Sequence, residues 1–128
     1  MAGDRPEGFV PGAHPIDGYG AGGFSFAGMS HRGSILALPS GVRAWDVSDP
    51  LEIDAHSLAP VFQEPEGAVE HLLVGTGLNF VPLAPALRKA LRARGIVGEP
   101  MATGAAARTY NVLLGEKRRV AAALIAAP

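Results

Sequence analysis

Apolar and polar positions alternate in short runs in the first half of the chain and recur every three or four residues in much of the second. Phe24 and Phe26 flank the small, polar Ser25, and residues 24–29 read as a half-buried strand. Residues 34–39 are mostly apolar and end at Pro39, which suits a second strand, and His31-Arg-Gly-Ser between the two reads as a hairpin loop. After a turn at Gly41, Val42 and Ala44 alternate with Arg43 and Trp45, giving a third strand with one pair on each face. Leu58, Val61 and Phe62 fit one face of a short helix over 55–63, which Glu64-Pro-Glu-Gly closes.

The second half has clearer periods. Residues 71–75 form a short apolar run of the buried-strand type, ended by Gly75-Thr76-Gly77. Leu83, Leu87 and Leu91 recur every four residues and predict a helix over 84–94. Pro85 lies in its first turn, Gly95 follows its last, and Arg88, Lys89 and Arg92 lie on other faces. Residues 96–101 form a strand that Pro100 confines to an edge or an end. Thr103 is placed to cap the next helix, in which Ala106, Tyr110 and Leu113/Leu114 share a face and which Gly115 stops. Residues 119–125 are a final apolar strand. Strand–helix–strand–helix–strand needs crossover connections, so the fold class is α/β with a sheet that is at least partly parallel or mixed.

Composition adjusts this picture. A chain of 128 residues makes one domain and buries roughly two-thirds of its unfolded surface. Aromatics are only 6%, so the core is expected to be Leu, Val, Ile and Ala with Phe24, Phe26, Trp45, Phe62 and Phe80 as its large pieces. Proline and glycine crowd the start, so residues 1–15 are expected to be a flexible tail. The domain is then 16–128, with a late docking point at Ile16 to Tyr19 and a turn at Asp17-Gly18. A net charge of −1 with no basic half argues against nucleic acid as a partner. The absence of cysteine excludes disulfides and thiolate chemistry. No apolar run approaches the ~20 residues of a transmembrane segment, and the opening residues resemble neither a signal peptide nor a presequence, so a cytoplasmic location is expected.

Candidate chemistry is sparse. Asp46, Asp49, Glu52 and Asp54 lack any fixed spacing for a cation and read as a solvated connection. His14, His31, His56 and His71 are scattered without ligand spacing, and no Gly-x-Ser-x-Gly elbow occurs. Strand–Gly75-Thr76-Gly77–helix–strand–Glu99 imitates a dinucleotide fingerprint, but Phe80 holds the place of the third glycine and the helix begins late. A tight turn, or a small-anion site made by its amides, is left. No metal, cofactor or catalytic constellation is expected. The remaining polar cluster has two readings. In one, Thr103 caps, Asn111 bonds neighbouring backbone, Tyr110 buries its ring under a wet hydroxyl, and Glu116 pairs with an arginine, so that Asn111, Glu116 and Arg118 form a structural joint. In the other, Gly75, Thr76, Gly77, Glu99, Thr103, Arg108 and Tyr110 line a ligand-binding cleft at the carboxyl ends of the strands.

Five short motifs follow in a specific order: Ile16-Asp-Gly-Tyr-Gly with Gly23-Phe24, Val42-Arg-Ala-Trp45, Leu73-Val-Gly-Thr-Gly77, Glu99-Pro-Met-Ala-Thr103, and Arg108-Thr-Tyr-Asn-Val-Leu113 leading to Glu116-x-Arg118. Together they resemble the Mth938-like domain family over residues 16–125. The resemblance implies a single-domain, three-layer fold with a mixed β-sheet and helices, no established enzymatic activity, no cofactor and no accepted catalytic residues. Eukaryotic relatives help assemble respiratory complex I through protein partners. The leading expectation is therefore a non-catalytic protein-binding or assembly module, with respiratory-complex assembly components among its partners. The alternative is a small-molecule or anion-binding protein, or a weak enzyme, that uses the cleft.

Overall fold

The computed structural model describes residues 10–128; the first nine residues of the expected tail lie outside them. The elements run β1 (Val10–Pro11), β2 (Gly18–Gly20), β3 (Gly23–Phe26), β4 (Met29–Arg32), β5 (Ile35–Leu38), β6 (Gly41–Ala44), α1 (Ala59–Phe62), β7 (His71–Gly75), α2 (Pro85–Ala93), β8 (Val97–Met101), α3 (Thr103–Gly115) and β9 (Val120–Leu124). A six-stranded sheet has the order β1-β6-β5-β9-β7-β8, and β2-β3-β4 form a second, three-stranded sheet. β7 is parallel to both β8 and β9, whereas β5 is antiparallel to β6 and β9. The large sheet is thus mixed. The β5–β9 pairing, with Leu36 opposite Ala123, welds the meander half to the crossover half.

Strand alternation sorts the core into two faces. Leu36, Leu72, Val74, Ala121 and Ala123 point to one face and pack with Leu58 and Val61 of the α1 region and with Leu87 and Leu91 of α2. Ile35, Ala37, Leu73, Ala122 and Leu124 point to the other and pack with Ala106, Ala107 and Tyr110 of α3 and with Phe24 and Phe26 of the small sheet. Three layers result. Each fully buried Leu or Ile contributes roughly 1.5–3 kcal/mol, so these two faces dominate the stabilisation. Tyr110, the largest fully buried side chain, packs on this face beside the small Ala122 of β9.

β8 is an edge strand, as Pro100 required. The Val97 amide donates to Glu70 O and Met101 O accepts from the Thr76 amide, so odd-numbered residues of β8 face β7. Gly98 and Pro100 face outward, and Pro100 has no N–H to offer there.

Several local expectations need correction. His31-Arg-Gly-Ser is not a hairpin loop: His31 and Arg32 belong to β4, and the chain reverses at Ala27-Gly28 instead. Both turn residues have positive φ (51° and 76°), the twist that a two-residue hairpin prefers. Gly18 lies in β2 rather than in a turn with Asp17, and Val10–Pro11 pair with β6. The first helix is only Ala59–Phe62, because Asp54 and Ser57 bond each other's backbone amides (2.8 and 3.0 Å) and hold 54–57 as a turn. Phe80 is 60% exposed, not core; Leu83, Leu87 and Leu91 already fill the α2 side. No helix among the described residues is long and apolar enough to cross a membrane.

Candidate functional site

The ends of β7 and β9 meet the start of α3 at a closed polar joint. Thr103 is the first residue of α3 and does not cap it; the capping position is Ala102, which has no side-chain acceptor. The Thr103 hydroxyl instead donates to Ile125 O (2.7 Å) and accepts from the Gly77 amide (2.9 Å), and the Thr103 amide donates to Gly77 O (2.8 Å). Thr76 is likewise buried. Its hydroxyl donates to Asn79 O at 2.6 Å, has Met101 O as a second acceptor at 3.1 Å, and accepts from the Val81 amide. Gly75 permits the approach, since a Cβ there would sit 3.0 Å from Thr103 Cα. The Gly77 amide is therefore taken up by the protein itself, and each threonine hydroxyl has its proton committed to a carbonyl, which leaves neither poised as a nucleophile.

The polar face of α3 grips the N-terminal segment. Asn111 Oδ1 accepts from the Ile16 amide (2.8 Å) and its Nδ2 donates to Ile16 O (2.7 Å). The Tyr110 hydroxyl donates to His14 O (3.1 Å), and burial pushes its phenol from 10.0 up to about 12. Arg108 donates to the Tyr19 hydroxyl. Tyr19 lies over the first turn of α3, where a Cβ on Gly104 would meet its ring at 3.0 Å. Asn111 does bond backbone, but that of a segment 95 residues away rather than a neighbour.

Seven residues are candidates for one cleft: Gly75, Thr76, Gly77, Glu99, Thr103, Arg108 and Tyr110. The first three and Thr103 come together. Glu99 lies half-buried on β8, level with Leu73, and Arg108 and Tyr110 lie further along α3 against residues 14–19. The joint expected from Glu116 also differs. Glu116 is exposed and forms no ion pair among the described residues; Arg118 pairs with Glu70 (3.6 Å) and Arg119 with the same carboxylate (3.3 Å). Arg118 also lies 3.1 Å from His71 Nε2. His71 Nε2 also lies 3.7 Å from Glu70 Oε1, and its Nδ1 is buried without a partner among the described residues. Among the described residues no group of three or more His, Asp or Glu side chains is placed to hold a metal ion.

One open surface is apolar. Leu51 is 88% exposed and Leu78 is 67% exposed. Two clefts meet at the carboxyl ends of the parallel strands. One, of about 400 Å³, is lined by Pro50, Leu51, Val81, Pro82 and Leu83; the other, of about 310 Å³, by Pro50, Leu78, Val81, Ile125 and Ala126. Pro50, Thr76 and Val81 border both, so the surface is continuous. Asp49 and Glu52 fix the turn that carries Leu51: Asp49 Oδ1 accepts from the Leu51 amide, and Glu52 Oε1 from the Ser48 and Asp49 amides. This reciprocal cap is the reason a leucine can be held out in water. The sequence carries one signal for this side of the molecule: no lysine or arginine occurs between Arg43 and Arg88.

Residues 16–125 match the family model described as a protein of unknown function (DUF498/DUF598). An uncharacterised Rhodobacter capsulatus protein is 44% identical over 124 residues, covering 97% of this chain and 93% of that protein. Mouse NADH dehydrogenase [ubiquinone] 1 alpha subcomplex assembly factor 3 is 36% identical over 118 residues, covering 92% of this chain but only 63% of its own length. Among solved structures, a Bartonella henselae protein described as an outer membrane protein superposes with a TM-score of 0.87 at 47% identity, over 92% of this chain and 98% of the other. A Bordetella pertussis protein described as a Mth938-like domain superposes with a TM-score of 0.75 at 34% identity, over 88% of this chain and 85% of the other. With the sheet order, the α3 joint and these relationships in view, the chain belongs to the DUF498/Mth938-like family and is homologous to the complex I assembly factor.

Proposed function

We propose that this chain is a non-catalytic protein-binding module of the assembly-factor kind, working in the cytoplasm on components of a respiratory complex. The single observation that carries this reading is the exposure of Leu51 and Leu78 along two adjoining clefts that share Pro50, Thr76 and Val81. Large contiguous apolar surface is uncommon on soluble monomers and marks places where another molecule binds. The polar residues at the strand ends support the same reading, since their hydrogen-bonding capacity is committed inside the protein. The homologous mouse protein is an assembly factor, and the role is carried from it to this chain as a proposal.

The test is purification of the tagged chain from its native host after mild crosslinking, under conditions that preserve respiratory complexes. The expected result is stoichiometric recovery of a defined protein that falls off in complex-I-deficient cells. Metabolite turnover by the pure chain, lost on replacing Glu99 or Thr103 without unfolding, would overturn the reading.

A further inference from the structure

The exposed surface has a chemistry that selects its occupant, and this inference rests on the protein-binding reading above. Asp49 and Glu52 are exposed on either side of Pro50-Leu51, whereas Asp46 and Asp54 line a separate cavity together with Glu52 and Arg43. Among the described residues neither Asp49 nor Glu52 forms an ion pair, and the arginine–carboxylate pairs there are go to Glu70. Asp49 and Glu52 bond backbone amides, which neutralises no charge. The loop on the other side of the clefts, residues 76–84, has no charged residue at all. Cations re-enter the sequence only with Arg88 and Lys89, past the first residues of α2. The result is an apolar platform with two adjoining depressions and an acidic flank.

We propose that this platform docks an amphipathic protein segment whose apolar anchors enter the two clefts and whose flanking lysines or arginines face Asp49 and Glu52. A helix laid in a groove uses this division of labour, apolar anchors for affinity and charge for orientation. A second copy of the chain fits less well in a symmetric arrangement about the platform, because like surfaces would bring the two acidic flanks together.

Two synthetic amphipathic peptides with one leucine pattern test this, one with lysine and one with glutamate on the polar face. Each is titrated into the ¹⁵N-labelled full chain. The lysine peptide should bind, with amide shifts concentrated in residues 49–53 and 76–84, and the glutamate peptide should bind at least about tenfold more weakly. The double variant Leu51→Asp/Leu78→Asp should lower affinity for the lysine peptide by about tenfold or more, while its melting temperature, recorded as a control, stays near that of the parent. Equal binding of both peptides, shifts centred elsewhere, or full affinity in the double variant would each overturn the proposal. So would a dimer in sedimentation that the double variant dissolves, which would give the surface to a second copy. If the double variant still recovers the native partner, this platform is wrong and the assembly reading stands; if the parent recovers none, the reading itself falls.

Discussion

The face of α3 and the loops at 46–54 and 76–84 treat their side chains in opposite ways. On α3, polar groups are drawn inward: Tyr110 and Asn111 bond backbone of residues 14–16, and Arg108 bonds Tyr19. At the loops, large apolar groups are held outward on a capped turn and a glycine-led loop. The first region has the residue types of an active site and the geometry of a clamp. The second has ordinary residue types and the geometry of an interface. Residue chemistry identifies a site only once its partners are known: the Tyr110 hydroxyl is bonded to the chain's own carbonyl, whereas Leu51 is 88% exposed.

The contrast breaks if α3 tolerates truncation. Tyr110→Ala removes the largest fully buried side chain and should cost about 3–5 kcal/mol, read as a shift in the urea midpoint. The alkaline limb should be nearly as large. The folded state holds the Tyr110 proton up to about 12 while the unfolded chain releases it near 10.0, so stability is complete below pH 10 and falls as pH rises toward 12. The loss should approach about 3 kcal/mol and disappear in Tyr110→Phe, measured as the difference between the two proteins across that window. Asn111→Ala leaves both backbone groups of Ile16 without their partner and should cost about 1–3 kcal/mol, with faster amide exchange at Ile16. Gly77 has φ of 98° and open space around its Cβ position, so Gly77→Ala should cost about 1–2 kcal/mol in melting experiments, from backbone strain alone. Leu51→Asp is the smallest change on this scale. Its stability should stay within about 0.5 kcal/mol of the parent, and a larger drop would mean that the platform is part of the fold.

Much of the architecture is legible in the sequence because its signals are local. The four-residue recurrence of Leu83, Leu87 and Leu91 marks α2, the apolar runs mark β7 and β9, and Pro100 marks an edge. The misreadings share a cause. Thr103 looks like a cap because its own neighbourhood permits one, yet its hydroxyl is claimed by Gly77 and Ile125, which only the sheet brings near. Proximity in sequence pairs Arg118 with Glu116, and the fold brings it to Glu70. Phe80 has the residue type of a core position, and its loop has no period to say which way it points. The polar cluster on α3 is visible as a set, but its function depends on a segment at the far end of the chain.

That separation has a consequence for how the molecule is made. The Asn111 grip on Ile16 spans 95 residues, so the opening segment leaves the ribosome with no receptor for it. At synthesis rates of about 5–20 residues per second, roughly 5–20 seconds pass before α3 exists. During that interval Ile16 and the apolar faces of Phe24 and Phe26 have lost neither their hydrophobicity nor their exposure. Helix α3 completes a structure that residues 16–26 began, and a nascent chain stalled before Asn111 would present those side chains to chaperones.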